Sequence, residues 1–172
     1  HMPAEVQKLV DQGIRNAERE AQIRFRQRDP SLLFMVPSHW YTQFLAAHED
    51  ELQLPEFWER LLVRAYTGIK TCHGHDLSLW REWFMNADRD ALRDAGDPLP
   101  SDLPTTLYRG VSGSAEFDEG ISWTSDRQKA ERFARIGGIH YGNERVIERP
   151  FNPDELLFYC NERGEHEYAL LL

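Results

Sequence analysis

Cysteine is scarce in this chain. Its 172 residues hold two, Cys72 and Cys160, far apart in sequence, so no disulfide framework is implied. Long apolar runs are missing as well. None approaches the roughly 20 residues that span a bilayer, and no signal peptide is visible at the start. An intracellular, cytoplasmic protein with no membrane partner is the expectation. There is no internal repeat and no low-complexity tract. No Gly-x-Gly-x-x-Gly follows a strand-like run, which removes a Rossmann reading of dinucleotide binding. Positive charge is in deficit: 20 Lys and Arg against 29 Asp and Glu leave a net charge of −9. An acidic surface does not draw in polyanions over long range. That argues against a generic nucleic-acid binder and leaves room for a local basic patch. His1-Met2 reads as the remnant of a tag and takes no part in the fold argument.

The chain has a globular balance, 41% hydrophobic and 28% charged, with enough apolar mass for a core. The pattern is α+β, as one domain or a catalytic domain with a helical extension. Residues 3–96 read as helical. Val6, Leu9, Val10, Ile14, Ala17 and Ala21 recur at helical spacing over residues 4–28, and Asp29-Pro30 stops that helix. Its arginines, Arg15, Arg19, Arg24, Arg26 and Arg28, read as a solvated face, with a contact surface for the target or an acidic partner as the alternative. Ser38 is placed to cap a helix that buries Trp40, Phe44 and Leu45. Pro55 opens another, carrying a wide stripe from Phe57 and Trp58 to Ile69. Asp76 is placed to cap a further helix, with Leu77, Leu79, Trp80, Trp83 and Phe84, which continues or restarts toward Ala95. Cys72-His73-Gly74-His75-Asp76 has metal-ligand residue types but matches no familiar zinc spacing, so a glycine-containing helix connection is the reading and no metal is assigned. Residues 96–104, Gly-Asp-Pro-Leu-Pro-Ser-Asp-Leu-Pro, have the composition of a linker. Residues 105–172 then alternate strands with one helix. Gly137 to Gly142 reads as a hairpin or flexible segment. Strands are expected over residues 145–148 and 155–159.

Three stretches carry chemistry. Near the end, Glu162-Arg163-Gly164 is a turn, and Glu165-His166-Glu167 leads into the apolar Tyr168-Ala169-Leu170-Leu171-Leu172. On a strand, Glu165 and Glu167 would project together with Cα atoms roughly 7 Å apart. Two like charges beside a buried strand are unfavourable unless compensated, which is a reason to suspect a site; on this stretch alone the favoured reading is a sheet end where both carboxylates are solvated. His166 would point the other way, to the surface or to a target. In Thr106-Leu107-Tyr108-Arg109-Gly110-Val111, Arg109 sits at a strand end where Gly110 lets the backbone approach a ligand. Its planar guanidinium suits a phosphate. In Ser122-Trp123-Thr124, the two hydroxyls share one strand face and can bond a carboxylate. Asp126 then caps a helix over residues 127–135 whose inner face holds Ala130, Phe133 and Ala134.

Arg109, then Ser122-Trp123-Thr124, then Glu165-His166-Glu167, in that order, resembles the mono-ADP-ribosyltransferase family of the Arg-Ser-Glu class over residues 105–172. Trp123-Thr124 departs from the family's usual Thr-Ser. The resemblance implies a core of two antiparallel sheets packed at a steep angle, with NAD, the ADP-ribose donor, in the cleft between them and the preceding helices forming a wall over it. It implies catalytic roles for Glu167, Glu165, Ser122 and Arg109. It implies NAD contacts from Arg109, Gly110, Ser122, Trp123, Thr124 and Glu167. Glu167 would bond the ribose 2′-hydroxyl, and Ser122 would orient Glu167. Thr124 would stiffen the strand or meet the nicotinamide side. Arg109 would hold the phosphates or the adjacent ribose, and Glu165 would bond and deprotonate the incoming nucleophile.

The chemistry stands on its own terms too. Breaking the nicotinamide–ribose bond leaves positive charge on the ribose, as in glycoside cleavage, and a fixed carboxylate stabilises it. A carboxylate at position 165 suits a guanidinium acceptor and could also serve a nucleobase amino group. The expected activity is transfer of ADP-ribose to a macromolecule, a protein arginine or a nucleic acid, by a bacterial toxin or phage-conflict effector accompanied by an antitoxin or immunity protein. The alternatives are an NAD glycohydrolase and a catalytically inactive NAD-binding module.

Overall fold

A computed structural model describes residues 2–69 and 76–172. The Cys-His-Gly-His cluster at 72–75 lies outside the described residues. The chain divides into two compact units, His1–Thr71 and Cys72–Leu172. The proline-rich stretch 96–104 therefore lies inside the second unit. Asp97 N–H donates to the Tyr159 carbonyl at 2.7 Å, and a side chain at Gly96 would meet that same carbonyl at 2.6 Å. Composition cannot tell an extended segment bonded to a strand from a free linker.

The first unit is helical. α1 (Ala4–Arg26) has the expected start, ends two residues before the expected Arg28, and buries none of its residues. Leu9 is 74% exposed, against the apolar face that its spacing predicts. A 3-10 helix spans Pro30–Met35, where Asp29 caps Ser31 N–H. α2 (Tyr41–Ala47) and α3 (Glu49–Leu52) follow. Ser38 makes no cap, because a 3-10 turn, Ser38–Trp40, precedes α2, and Trp40 is exposed rather than buried. α4 (Phe57–Gly68) supplies most of the core with Phe57, Trp58, Leu61, Leu62, Ala65 and Tyr66. Its start is a capping box between Glu56 and Glu59, not Pro55.

In the second unit, α5 (Leu77–Asn86) and α6 (Arg89–Ala95) are separate helices, with Asp88 capping the restart. β1 (Thr106–Val111), β2 (Ser122–Thr124), α7 (Arg127–Tyr141), β3 (Arg145–Pro150), β4 (Leu156–Cys160) and β5 (Glu167–Leu170) complete it. Among the described residues the strands form one antiparallel sheet in the order β3-β1-β2-β5-β4. The α+β class holds; the sheet is single where the resemblance implied two. α7 runs through Gly137 and Gly138 to Tyr141, so the glycine-rich stretch is helix and not a hairpin. Ala130 and Ala134 are buried as expected, but Phe133 is exposed.

The register decides what each face of the sheet holds. Leu107, Trp123, Leu156, Tyr159, Tyr168 and Leu170 form one buried cluster, flanked by Ile147 and Phe151. The other face meets helices. A Cβ at Gly110 would lie 1.9 Å from the Ala130 carbonyl of α7, so that helix lies directly on β1. Arg127 of α7 stacks over the Tyr108 ring on the same side. At the opposite edge Phe84 of α5 packs against Phe158 of β4, 5.8 Å between centroids. Arg89 and Arg93 of α6 bond carbonyls around the start of β4. Between these helices, on the middle strands, this face bears Ser122, Thr124 and Glu167.

Candidate functional site

β2 and β5 build the site because they are neighbours in the sheet. Ser122 pairs with Ala169 and Thr124 with Glu167. Paired residues share a face, and alternate residues along one strand share it too. The Ser122 hydroxyl reaches the Glu167 carboxylate and bonds it. Thr124 is 6% exposed. Its hydroxyl donates to the Glu165 carbonyl at 2.9 Å and accepts from Asp126 N–H at 3.1 Å. One side chain thus ties together the end of β2, the loop before β5 and the cap of α7. Of the two roles implied for Thr124, this geometry is the stiffening one. Asp126 caps α7 as expected, accepting from Gln128 and Lys129 N–H.

Glu165 and Glu167 are neighbours, but not as alternate residues of one strand. β5 begins at Glu167. Glu165 ends a 3-10 turn, and His166 between them has a φ of 47°. That left-handed residue breaks the period of two. His166 turns away from the carboxylates as expected. It is no free target contact, however: Tyr159 Oη and its Nδ1 form a hydrogen-bond pair at 3.0 Å.

Glu167 is only half-buried as a residue, yet burial of its carboxyl group is the main cause of a pKa pushed up to about 7. The Glu165 charge raises it further, while the Ser122 hydrogen bond and Arg163 pull it down. Arg163 also pairs with Glu165 at 3.8 Å. A consequence for stability follows. The folded state holds the Glu167 proton more tightly than the unfolded chain, whose value is near 4.5. Stability should therefore fall as pH rises from about 4.5 to 7 and level off above, by about 3 kcal/mol at most. Urea melts across that range test this, and a rise in stability there would contradict it. Cys160 pairs with Glu167 across β4 and β5. Burial drives its thiol up to about 11, with nearby carboxylates adding to the effect. A thiol so placed is protonated at neutral pH.

No family model, curated protein or solved structure matches this chain.

The structure unites Ser122, Thr124 and Glu167 and holds Glu165 beside them. It does not bring the Arg109 side chain to that face. Gly110 faces α7, so Arg109 leaves β1 on the opposite side, with Trp123. There Arg109 donates from Nε to the Phe117 carbonyl at 3.2 Å and from Nη1 to the Ser122 carbonyl at 3.0 Å. Its guanidinium lies on Gly120, where a Cβ would come within 2.3 Å. Arg109 therefore braces the strand that presents Ser122.

Two of the expected cofactor contacts have partners within the fold. Trp123 is buried in the core cluster at 4% exposure, with its indole N–H on the Gly120 carbonyl. Alternation sends it to the face opposite Ser122. Close packing of α7 on β1 by itself requires glycine at position 110. Sequence reading missed Tyr159, Asn161, Asp97 and Gly120. Their contacts reach as far as 64 residues, from Asn161 N–H to the Asp97 carboxylate, and no local pattern records such a pair. A hollow of about 230 Å³ between α6 and β4 involves Arg93, Asp97 and Tyr159 but none of the Ser122–Glu167 group. No group of three metal-ligating side chains occurs among the described residues, and no described helix is long and apolar enough to cross a membrane.

Proposed function

We propose that the chain is an NAD-dependent mono-ADP-ribosyltransferase acting on a macromolecular acceptor, a protein arginine or a nucleic acid. The observation that carries this is the Glu167 carboxylate, enclosed at the start of β5 and bonded by Ser122. Such a group suits the ribose end of NAD. When the C–N bond to nicotinamide breaks, nicotinamide leaves with the electron pair and C1 of the ribose becomes cationic. An ionised Glu167 stabilises that charge in a site shielded from water. The acceptor nitrogen then bonds C1, and its proton passes to Glu165. Ser122 keeps Glu167 aimed, Thr124 anchors the Glu165 backbone, and Arg109 acts through the strand that holds Ser122. A role as a toxin or phage-conflict effector, with an antitoxin or immunity protein as partner, belongs to this reading.

The second reading is an NAD glycohydrolase, with water as acceptor. The pairing of Glu165 with Arg163 favours it, because an arginine acceptor would have to compete for the same carboxylate. Labelled NAD in a cell lysate separates the two. With the native chain, label should enter macromolecules, and protease or nuclease treatment identifies the acceptor class. Glu165→Ala should lower that labelling by roughly 100-fold or more, the scale of a lost general base, while free ADP-ribose still forms. Free ADP-ribose as the sole product of both proteins would establish the hydrolase. Intact NAD in every tube would remove the enzyme reading.

A further inference from the structure

The chain between β4 and β5 reverses within residues 161–166. Three of these, Arg163, Gly164 and His166, have positive φ, at 60°, 65° and 47°. For Arg163 and His166 this is a disfavoured conformation, since a Cβ crowds the following carbonyl. Strained backbone persists where its surroundings over-determine it. The surroundings here are specific. Asn161 N–H is held by the Asp97 carboxylate at 2.7 Å. The Asn161 side-chain oxygen accepts from His166 N–H at 3.1 Å, and its carbonyl accepts from Gly164 N–H at 3.1 Å. Thr124 holds the Glu165 carbonyl. The His166 ring is held by Tyr159, whose own ring packs on Tyr168, 4.8 Å between centroids. Tyr159 pairs with Tyr168 in the ladder, on the sheet face away from Glu167.

We infer that the Tyr159–His166 pair is a latch that positions Glu165. It pins the left-handed His166 from the far side of the sheet. That backbone angle sets the direction in which the Glu165 carboxylate leaves the chain beside Glu167. Without the latch, only the Asn161 and Thr124 hydrogen bonds oppose relaxation of His166 toward an extended conformation, and that relaxation carries the Glu165 carboxylate away from its neighbour. Glu167 itself, fixed by β5 and Ser122, stays where it is. Tyr159 and His166 are positioning residues: neither touches a reacting atom in this scheme. For the enzymatic outcome the inference rests on the transferase reading, where Glu165 serves the acceptor and Glu167 serves bond cleavage.

Two variants test it. Tyr159→Phe removes one oxygen and leaves the ring packing on Tyr168. His166→Asn keeps a residue type that tolerates the left-handed region but removes the ring. The first readout needs no turnover: NMR titration of the Glu167 carboxyl, with Glu165→Gln marking the midpoint in the absence of a neighbouring charge. The midpoint should fall toward the Glu165→Gln value, by about one pH unit, in one or both variants. An unchanged midpoint in both overturns the inference. The second readout is the ratio of macromolecular label to free ADP-ribose. Label should fall at least tenfold, the order expected for a misplaced catalytic group, with NAD consumption held within about threefold. Loss of both products in the same proportion overturns it. If the native chain consumes no NAD, the transferase reading fails and the titration alone judges the latch.

Discussion

On the proposed transferase reading, Glu167→Gln should abolish NAD cleavage and, in the same molecule, raise stability at pH 8. The two effects share one cause. The Glu167 carboxyl group is buried beside the Glu165 charge and titrates at about 7. At pH 8 the folded protein carries that charge at a cost, in the same ionised form that the proposed catalysis uses. Gln has the same shape and keeps an oxygen for the Ser122 hydroxyl. It has no charge to desolvate or to repel Glu165. The variant should gain up to about 3 kcal/mol at pH 8 and nothing at pH 4, where the native side chain is neutral in both states. Its activity should drop by about 1,000-fold or more, the scale expected for the principal stabiliser of a developing charge. In the native chain, the rate should rise through a midpoint near 7 as Glu167 ionises. Urea melts at pH 4 and pH 8, with NAD consumption measured on the same samples, give both numbers. A stability gain without loss of cleavage would detach Glu167 from the chemistry while leaving its electrostatics intact.

Gly110→Ala should be among the most damaging single changes to the second unit. The added Cβ would sit 1.9 Å from the Ala130 carbonyl oxygen and 2.8 Å from the Ala134 nitrogen. These are backbone atoms of α7, so no side-chain rotation relieves the clash. The helix must move off β1, and it cannot move alone. Asp126 at its cap is bonded to Thr124, which holds the Glu165 carbonyl. Overpacking against rigid backbone should cost about 3 kcal/mol or more, and any transferase activity should go with it. Shrinking Ala130 to glycine should not rescue the variant, because the contact is with its backbone. Equilibrium denaturation measures the loss. A change below about 0.5 kcal/mol would mean that α7 does not lie on β1 as described.

These expectations show where local reading succeeds. The order of helices and strands was legible from spacing and caps: α1, α4, α7 with Asp126, and all the strands of the second unit. The placement of Ser122 and Thr124 on one face followed from alternation within a single strand. Arg109 was legible as a residue with a task but not as to which task. Its side depends on what covers Gly110, and a glycine before a buried helix reads the same as a glycine before a ligand. Phe133 was assigned inward by helical period, yet only the narrow Ala130 and Ala134 side meets β1. Trp123 was drawn into the ligand set by its neighbours in sequence, although its neighbours in space are Tyr168 and Leu107.

By itself, the sequence determined the α+β order, the acidic surface, the strand that presents Ser122 and the carboxylates at the entry to β5. Apart from the charge, which is a sum over the whole chain, each of these rests on residues within a few positions of one another, where covalent geometry and periodicity already constrain the outcome. Tertiary structure alone decided that β2 lies beside β5 and so joins Ser122 to Glu167. It also sent Arg109 to the far face as a brace, and locked His166 against Tyr159 so that Glu165 stands off the strand. Those outcomes depend on which elements become neighbours, and sheet pairing brings together residues tens of positions apart that no local pattern connects.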